Sequence, residues 1–339
     1  MKKVFCLIMV LLMVMALFTA CGSKPAEQPA EETQAEEQPA EQVETEPEEV
    51  KEETKSTELA LVPPAMESPF YAAVIEGAKP MAEQLGYTLT VLSPEQADDA
   101  AGQVRIVEDL VERGVAAIAI CAHDDKAIVT AVKKANEAGI PIVIFNSLTD
   151  LPDGEVYAYT GYEQEDGGAN IADWVNKVTN GNAVVGVLEG LPGFHTIARG
   201  GGFTERIKEY PGVTVAASQA ADWSRETGMN VATNMFQANP EITVFYGMND
   251  EMALGAAQAM KDIGREDILT VGIDGNPNAI EAVKAGQLTA TLYVNPGKIG
   301  SSAVEMMVAA LNGEPAPENK RVVVETVVVD ATIVDEYLD

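Results

Sequence analysis

The residues best suited to chemistry stand where apolar runs stop. Asn249 and Asp250 follow the run Ile242–Phe245, inside Tyr246-Gly-Met-Asn-Asp-Glu, and open a stretch of small and apolar residues. Such a pair can cap a helix through a side-chain oxygen, with Glu251 adding negative charge to the first turn. The carboxyl end of a parallel strand is also where open α/β sheets place ligand contacts. Asp274 follows another apolar run, Val271-Gly-Ile, and precedes Gly275, as turn carboxylates often do. Ser68, Phe70 and Tyr71 come just after the first apolar run, as a helix-start staple or as a hydroxyl and rings for a ligand. Asn146 and Ser147 end the run begun by Ile140; both are neutral and can donate and accept. Amides and hydroxyls make paired hydrogen bonds, and rings cover apolar C–H faces, so these residue types suit non-covalent binding.

Covalent chemistry has little support. His123 and His195 are the only histidines, and neither has a Ser or Cys nucleophile motif beside it. Glu189–Phe203 is glycine-rich and reads as a loop feeding a helix, but it lacks the phosphate-loop and dinucleotide fingerprints. Three cysteines, Cys6, Cys21 and Cys121, give no disulfide framework and no metal pattern, and Cys121 reads as a small core residue. No EF-hand loop is present, and no cofactor or metal is expected. The formal charge of −31 argues against nucleic-acid binding.

The elements that must position these residues alternate. Strand-like runs cover Leu59–Val62, Thr88–Leu92, Ala116–Cys121 and Ile140–Phe145; helical patterns cover Phe70–Gln84, Ala100–Arg113 and Lys126–Ala138. The theme repeats with helices at Gly168–Val178, Arg199–Tyr210, Thr227–Ala238, Glu251–Ile263 and Asn278–Ala285. Between them lie strands at Ala183–Leu188, Thr214–Ala217, Ile242–Phe245, Ile268–Ile273 and Thr289–Val294. Continuous Val/Ile runs suit parallel strands covered on both faces, so the expected fold is two doubly wound α/β lobes with a cleft between their strand ends.

Lys2 and Lys3 precede an apolar run from Val4 to Phe18 and then Thr19-Ala20-Cys21. This is a secretory signal pattern, shorter than the ~20 residues of a spanning helix. A cysteine directly after the small residues resembles a bacterial lipoprotein signal, which implies a lipid on Cys21. Residues 22–57 carry twelve Glu against three Lys and almost no large apolar side chains. That segment is expected to be a disordered tether spanning roughly 30–36 Å, lengthened by self-repulsion.

Asn-Asp-Glu-Met-Ala-Leu-Gly-Ala-Ala-Gln-Ala-Met from Asn249, with the segment from Val271 to Thr291, resembles the periplasmic sugar-binding proteins of the ribose-binding type. The resemblance runs from about Leu59 to the C-terminus. It implies the type I periplasmic binding protein-like fold, with lobes joined by a three-strand hinge near Gly161, Tyr293 and Glu325. The implied organisation is a signal at 1–20, a tether at 21–57, an N-terminal lobe at 58–161 and 295–324, and a C-terminal lobe at 162–294 and 325–339. It implies ligand roles for the Ser68-Pro-Phe70-Tyr71 loop, for Asn146 and Ser147, and for the Asn249 amide and the Asp274 carboxylate. It further implies that Arg199 grips ligand oxygens, that Trp223 stacks on the ligand, and that His195 reaches the cleft. Ser68 replaces a commoner Asn, Asn146-Ser147 replaces an acidic residue and Arg, and Val294 replaces a Gln for which Tyr293 or Asn295 would compensate. The implied protein is an extracytoplasmic, lipid-anchored monomer that binds a monosaccharide, polyol or similar small polar ligand and serves a membrane ABC permease. A receptor feeding a membrane sensor would have the same body, and a sugar-modifying enzyme is the remote alternative.

Overall fold

The computed structural model describes residues 56–338. The signal, Cys21 and nearly all of the tether lie outside the described residues. The first lobe begins with β1 (Glu58–Val62), α1 (Pro69–Gln84), β2 (Thr88–Val91) and α2 (Ala100–Arg113). It continues with β3 (Ala117–Ile120), α3 (Val129–Glu137), β4 (Ile142–Phe145) and β5 (Ala158–Gly161). The chain then builds α4 (Gln164–Val178), β6 (Ala183–Glu189), α5 (Phe194–Arg206), β7 (Val213–Ala220) and α6 (Arg225–Ala238). After these come β8 (Val244–Gly247), α7 (Asp250–Asp262), β9 (Leu269–Asp274), α8 (Pro277–Lys284) and β10 (Ala290–Tyr293). It closes with α9 (Pro296–Leu311), β11 (Arg321–Val323) and β12 (Val327–Asp330).

Two six-stranded sheets result, in the orders β11-β5-β4-β3-β1-β2 and β12-β10-β9-β8-β6-β7. All pairings are parallel except β12 against β10. Since β5 and β11 belong to one sheet and β6, β10 and β12 to the other, the chain passes between lobes after Gly161, after Tyr293 and after Val323.

The run Ala117-Ile-Ala-Ile120 shows why the strands are apolar throughout. Side chains alternate along a strand, so both faces of a central strand need cover. Leu59, Leu61, Ala117, Ala119 and Val143 pack in one core with Val74 of α1 and Ile299 of α9. Ala60, Val62, Ile118, Ile120 and Ile142 pack in another with Val107 of α2 and Val132 of α3. Each fully buried Val, Leu or Ile contributes roughly 1.5–3 kcal/mol.

Helix ends follow local chemistry. Asp99 accepts from Gly102 N at 2.7 Å at the start of α2, and Gly114 closes that helix at φ 68°, a left-handed cap that glycine adopts without strain. Asn295 caps α9 by accepting from Lys298 N at 3.1 Å, which occupies the oxygen that was a candidate for the missing Gln's role.

The structure departs from the sequence reading in places. Helix α5 begins at Phe194, not Arg199, so the glycines at 200–202 lie inside a helix and form no phosphate-type loop. A Cβ on Gly202 would run into the Glu165 carbonyl, and one on Gly168 into the Arg199 carbonyl. These glycines therefore let α4 and α5 approach closely. β5, α9, β11 and β12 had no assignment from sequence, because three of them are strands of only three or four residues and α9 lies past the last recognisable motif.

Candidate ligand-binding site

The carboxyl ends of parallel strands in both lobes meet at one cavity of ≈ 120 Å³. The first lobe lines it with Ser68, Phe70 and Tyr71 after β1, His123 after β3 and Asn146 after β4. The second lobe lines it with His195 and Arg199 of α5, Trp223 after β7, Asn249 after β8 and Asp274 at the end of β9. Of the residues given ligand roles, all but Ser147 are therefore on its wall; Tyr293 and Asn295, the compensating alternatives, are not. Ser147 is buried elsewhere: its Oγ accepts from Thr149 N at 3.2 Å, which makes it a turn residue.

Arg199 is the buried centre of the second lobe's wall, only 3% exposed. Its Nε donates to Gln164 Oε1 at 2.8 Å, its Nη1 donates to the Met248 carbonyl, and Asp274 Oδ1 lies 3.5 Å from Nη1. The guanidinium also lies 5.6 Å from the Trp223 ring centre and 5.9 Å from that of Tyr162, in cation–π range. Gln164 supports both lobes' residues, because its Nε2 donates to the Asn146 carbonyl at 2.9 Å.

Asp274 has φ 140°, a backbone region costly for a side-chain-bearing residue, so its carboxyl is held at a specific angle by the surrounding structure. Burial pushes its pKa well above the usual carboxylate range; Arg199 opposes this and nearby Asp250 reinforces it. Asp250 does not line the cavity. Its carboxylate accepts from Thr291 Oγ1 at 2.6 Å and Asn276 N at 2.9 Å, and burial raises its pKa to about 6. It is a brace under the β9 and β10 ends. Asn249 serves two purposes: its Oδ1 accepts from Met252 N at 2.9 Å as the α7 cap, and its Nδ2 donates to the Trp223 carbonyl at 3.3 Å. One amide hydrogen of Asn249 is left for a ligand.

Trp223 and Asp222 both adopt left-handed backbone conformations, φ 61° and 56°. This turn lays the indole against Gly190, where any Cβ would collide with the ring. On the opposite wall Phe70 and Tyr71 pack edge to face, with ring centres 5.1 Å apart. Ser68 precedes α1 but makes no side-chain cap bond, so its hydroxyl points to no helix amide. The lobes are closed on one another, since His195 Nε2 lies 3.6 Å from Cys121 Sγ across the cleft.

Sequence reasoning did not assign His123, Asp222 and Leu191, which also line the cavity. The strand-end rule that selected Asn146 would have selected His123, three residues past β3. Gln164 and Met248 carried no signal, because they hold wall residues such as Arg199 and Asn146 and do not line the cavity themselves. Among the described residues no group of His, Cys, Asp and Glu could hold a metal ion, and no helix is long and apolar enough to cross a membrane.

Residues 59–315 match a family model described as a periplasmic binding protein domain. The ribose import binding protein of Salmonella typhimurium is 35% identical over 257 residues, covering 76% of this chain and 85% of that protein. The D-allose-binding periplasmic protein of Escherichia coli is 32% identical over 274 residues, covering 78% and 88%. Among solved structures, an ABC transporter periplasmic solute binding protein from Actinobacillus succinogenes with bound D-allose superposes with a TM-score of 0.78 at 31% identity, covering 83% of this chain and 99% of that one. An ABC transporter solute binding protein from Bacillus halodurans with bound myo-inositol gives 0.76 at 28% identity, covering 84% and 98%.

Proposed function

Since the chain belongs to the periplasmic binding protein family, we propose that it is an extracytoplasmic receptor of an ABC importer for a monosaccharide, polyol or similar small neutral molecule. It is a binding protein and not an enzyme. One observation carries the ligand class: the cavity between the lobes presents aromatic rings from both of them beside amides, a hydroxyl and a buried Arg–Asp pair. Arg199 already faces Asp274, so the wall offers no unopposed buried cation to an anionic ligand. A carboxylate beside a guanidinium gives a ligand hydroxyl both an acceptor and a donor, and such charge-assisted bonds are the strong kind. Trp223, Phe70 and Tyr71 cover the C–H faces, with the Asn146 and Asn249 amides at the edge.

Capture proceeds by hinge closure. The open lobes present half the contacts each, and the ligand stabilises the closed form by bridging them. The closed body then docks on a membrane permease. A lipid on Cys21 and the acidic tether hold the body near, but off, the membrane surface. Fatty-acid labelling of the expressed chain tests the anchor: label should be lost in Cys21→Ala, and persistence of label there rejects it.

The ligand class is tested by isothermal titration and thermal unfolding of the full chain, stripped of co-purified ligand, against D-ribose, D-allose, myo-inositol, nucleosides and amino acids. Ligand at about 100 times its Kd adds roughly 2.7 kcal/mol of stability. Binding confined to nucleosides or amino acids rejects the ligand class, and no binding in any class rejects the receptor reading.

A further inference from the structure

Cys121 is the buried polar group that the binding site leaves unused. It follows β3 in the first lobe, is 1% exposed and does not line the cavity. Its Sγ lies 3.3 Å from Tyr71 Oη, 3.6 Å from His195 Nε2 and 4.0 Å from Asn146 Nδ2. Tyr71 and Asn146 belong to the first lobe and His195 to the second. Three cavity residues thus converge on one thiol, and opening the cleft breaks only the His195 contact.

We propose that Cys121 is a positioning residue for ligand capture: backed by Tyr71, its thiol receives the His195 ring of the opposite lobe as the cleft closes, and admits that ring only in its uncharged form. The inference rests on the cavity being the ligand site. A thiol is a weak donor and a weak acceptor. A neutral imidazole carries one proton, and with that proton on Nε2 it donates to the thiol sulfur while Nδ1 stays bare. An imidazolium has two donors and a charge, and His195 Nδ1 is buried with no hydrogen-bond partner, so a proton there would meet no acceptor.

The surrounding charges agree. Arg199 lies on the same helix as His195 and His123 follows β3 in the first lobe; burial first, then the Arg199 charge and the His123 ring, push the His195 pKa down to about 3. Tyr71 and Cys121 stay protonated, because burial raises both, Cys121 to about 12. Asp274 and Asp222 line the same cavity, and Asp125 acts on Cys121 from the first lobe.

In an open cleft His195 faces water and titrates near ~6.5. The closed form therefore binds fewer protons between about 3 and ~6.5, so affinity is complete above that window and falls about tenfold per pH unit inside it. From pH 7.5 to pH 5.0 the loss is about thirty-fold. Asp274 works in the opposite sense, since a carboxyl whose pKa is raised in the closed form takes up a proton as pH falls. The share of His195 is accordingly read by difference.

The experiment is titration of the full chain with D-ribose, D-allose and myo-inositol at pH 7.5, 6.0 and 5.0, for wild type, His195→Asn, Cys121→Ala and Cys121→Ser. Thermal unfolding of each variant reports its folding separately. The affinity of His195→Asn should fall about thirty-fold less than that of wild type over this range. Cys121→Ala should bind several-fold more weakly at pH 7.5 and lose part of the pH dependence. Cys121→Ser, which keeps a donor and an acceptor, should restore most of both. If wild type binds a probe but His195→Asn has the same pH profile, or if Cys121→Ala matches wild type in affinity and profile, the positioning role is overturned. If wild type binds none of the probes, the ligand-site reading fails and this inference falls with it.

Discussion

Replacing Arg199 by Met should cost about 3–5 kcal/mol of stability in the absence of ligand, and most of that loss should be recovered by also replacing Asp274 with Asn. Both side chains are nearly wholly buried and lie 3.5 Å apart. At an effective dielectric constant near 20, two unit charges at that distance attract by roughly 5 kcal/mol. Removing Arg199 takes away the main influence that lowers the Asp274 pKa, so that carboxyl must stay charged without a partner or take up a proton; breaking such a buried pair typically costs about 3–5 kcal/mol, whereas replacing both often costs little. Part of that 3–5 kcal/mol is the loss of donors to Gln164 Oε1 and the Met248 carbonyl, each worth about 1 kcal/mol and not recovered in the double variant. The double variant should therefore lie about 1–2 kcal/mol below wild type. Asp274→Asn alone should cost less than Arg199→Met, because Arg199 keeps its two other acceptors. With about 2.1 cal/mol/K of unfolding entropy per residue over about 280 residues, a 3–5 kcal/mol loss lowers Tm by about 5–8 °C. The assay is urea unfolding of the four ligand-free proteins at pH 7.5, followed by circular dichroism. An Arg199→Met cost under about 1 kcal/mol, or a double variant less stable than Arg199→Met, refutes the reasoning.

Other residues make equally direct tests. Gly190→Ala should displace the Trp223 indole and weaken ligand binding about two- to twelve-fold, the loss of roughly 0.5–1.5 kcal/mol of ring contact; an unchanged Kd by calorimetry removes Trp223 from the site. Gly202→Ala pushes α5 off the Glu165 carbonyl and should cost about 1–3 kcal/mol. Gly201→Ala, whose Cβ meets nothing within 4 Å, should instead gain up to about 1 kcal/mol of helix propensity; urea midpoints that move together would contradict the packing argument. Burial, with Asp124 second, raises the Asp125 pKa to about 6. The native state therefore binds more protons than the unfolded one, and its charged form is penalised fully at pH 7. Asp125→Asn should gain on the order of 1 kcal/mol at pH 7.5, discounted for partial exposure. That gain should vanish below the ordinary carboxylate range of ~3.9, and an equal gain at both pH values excludes titration as its cause.

Composition and hydropathy patterning determined most of this architecture without coordinates. Runs such as Ala117–Ile120 admit only strands covered on both faces, and the regular return of helical patterns between them admits only wound parallel sheets. Stop signals were local too: Gly114 ends α2 and Asn249 caps α7, because capping depends on a few adjacent residues. The strand-end positions of Ser68, Tyr71, Asn146, Asn249 and Asp274 left caps, turns and ligand contacts all open, and the family resemblance selected the ligand roles; a parallel sheet does deliver these loops to one edge, where they line the cavity. Tertiary structure decided what depends on distance between segments far apart in sequence. Whether the glycines at 200–202 form a loop or a packing face turned on how near α4 comes to α5. Asn146 and Ser147 are adjacent neutral residues that can each donate and accept, yet one faces the cavity and the other bonds to Thr149. Cys121 read as a plain core residue because nothing near it in sequence forecasts Tyr71 fifty residues before it or His195 seventy-four after it. Pattern along a chain reports which faces must be buried; which polar atoms meet across a cleft is settled only when two lobes pack.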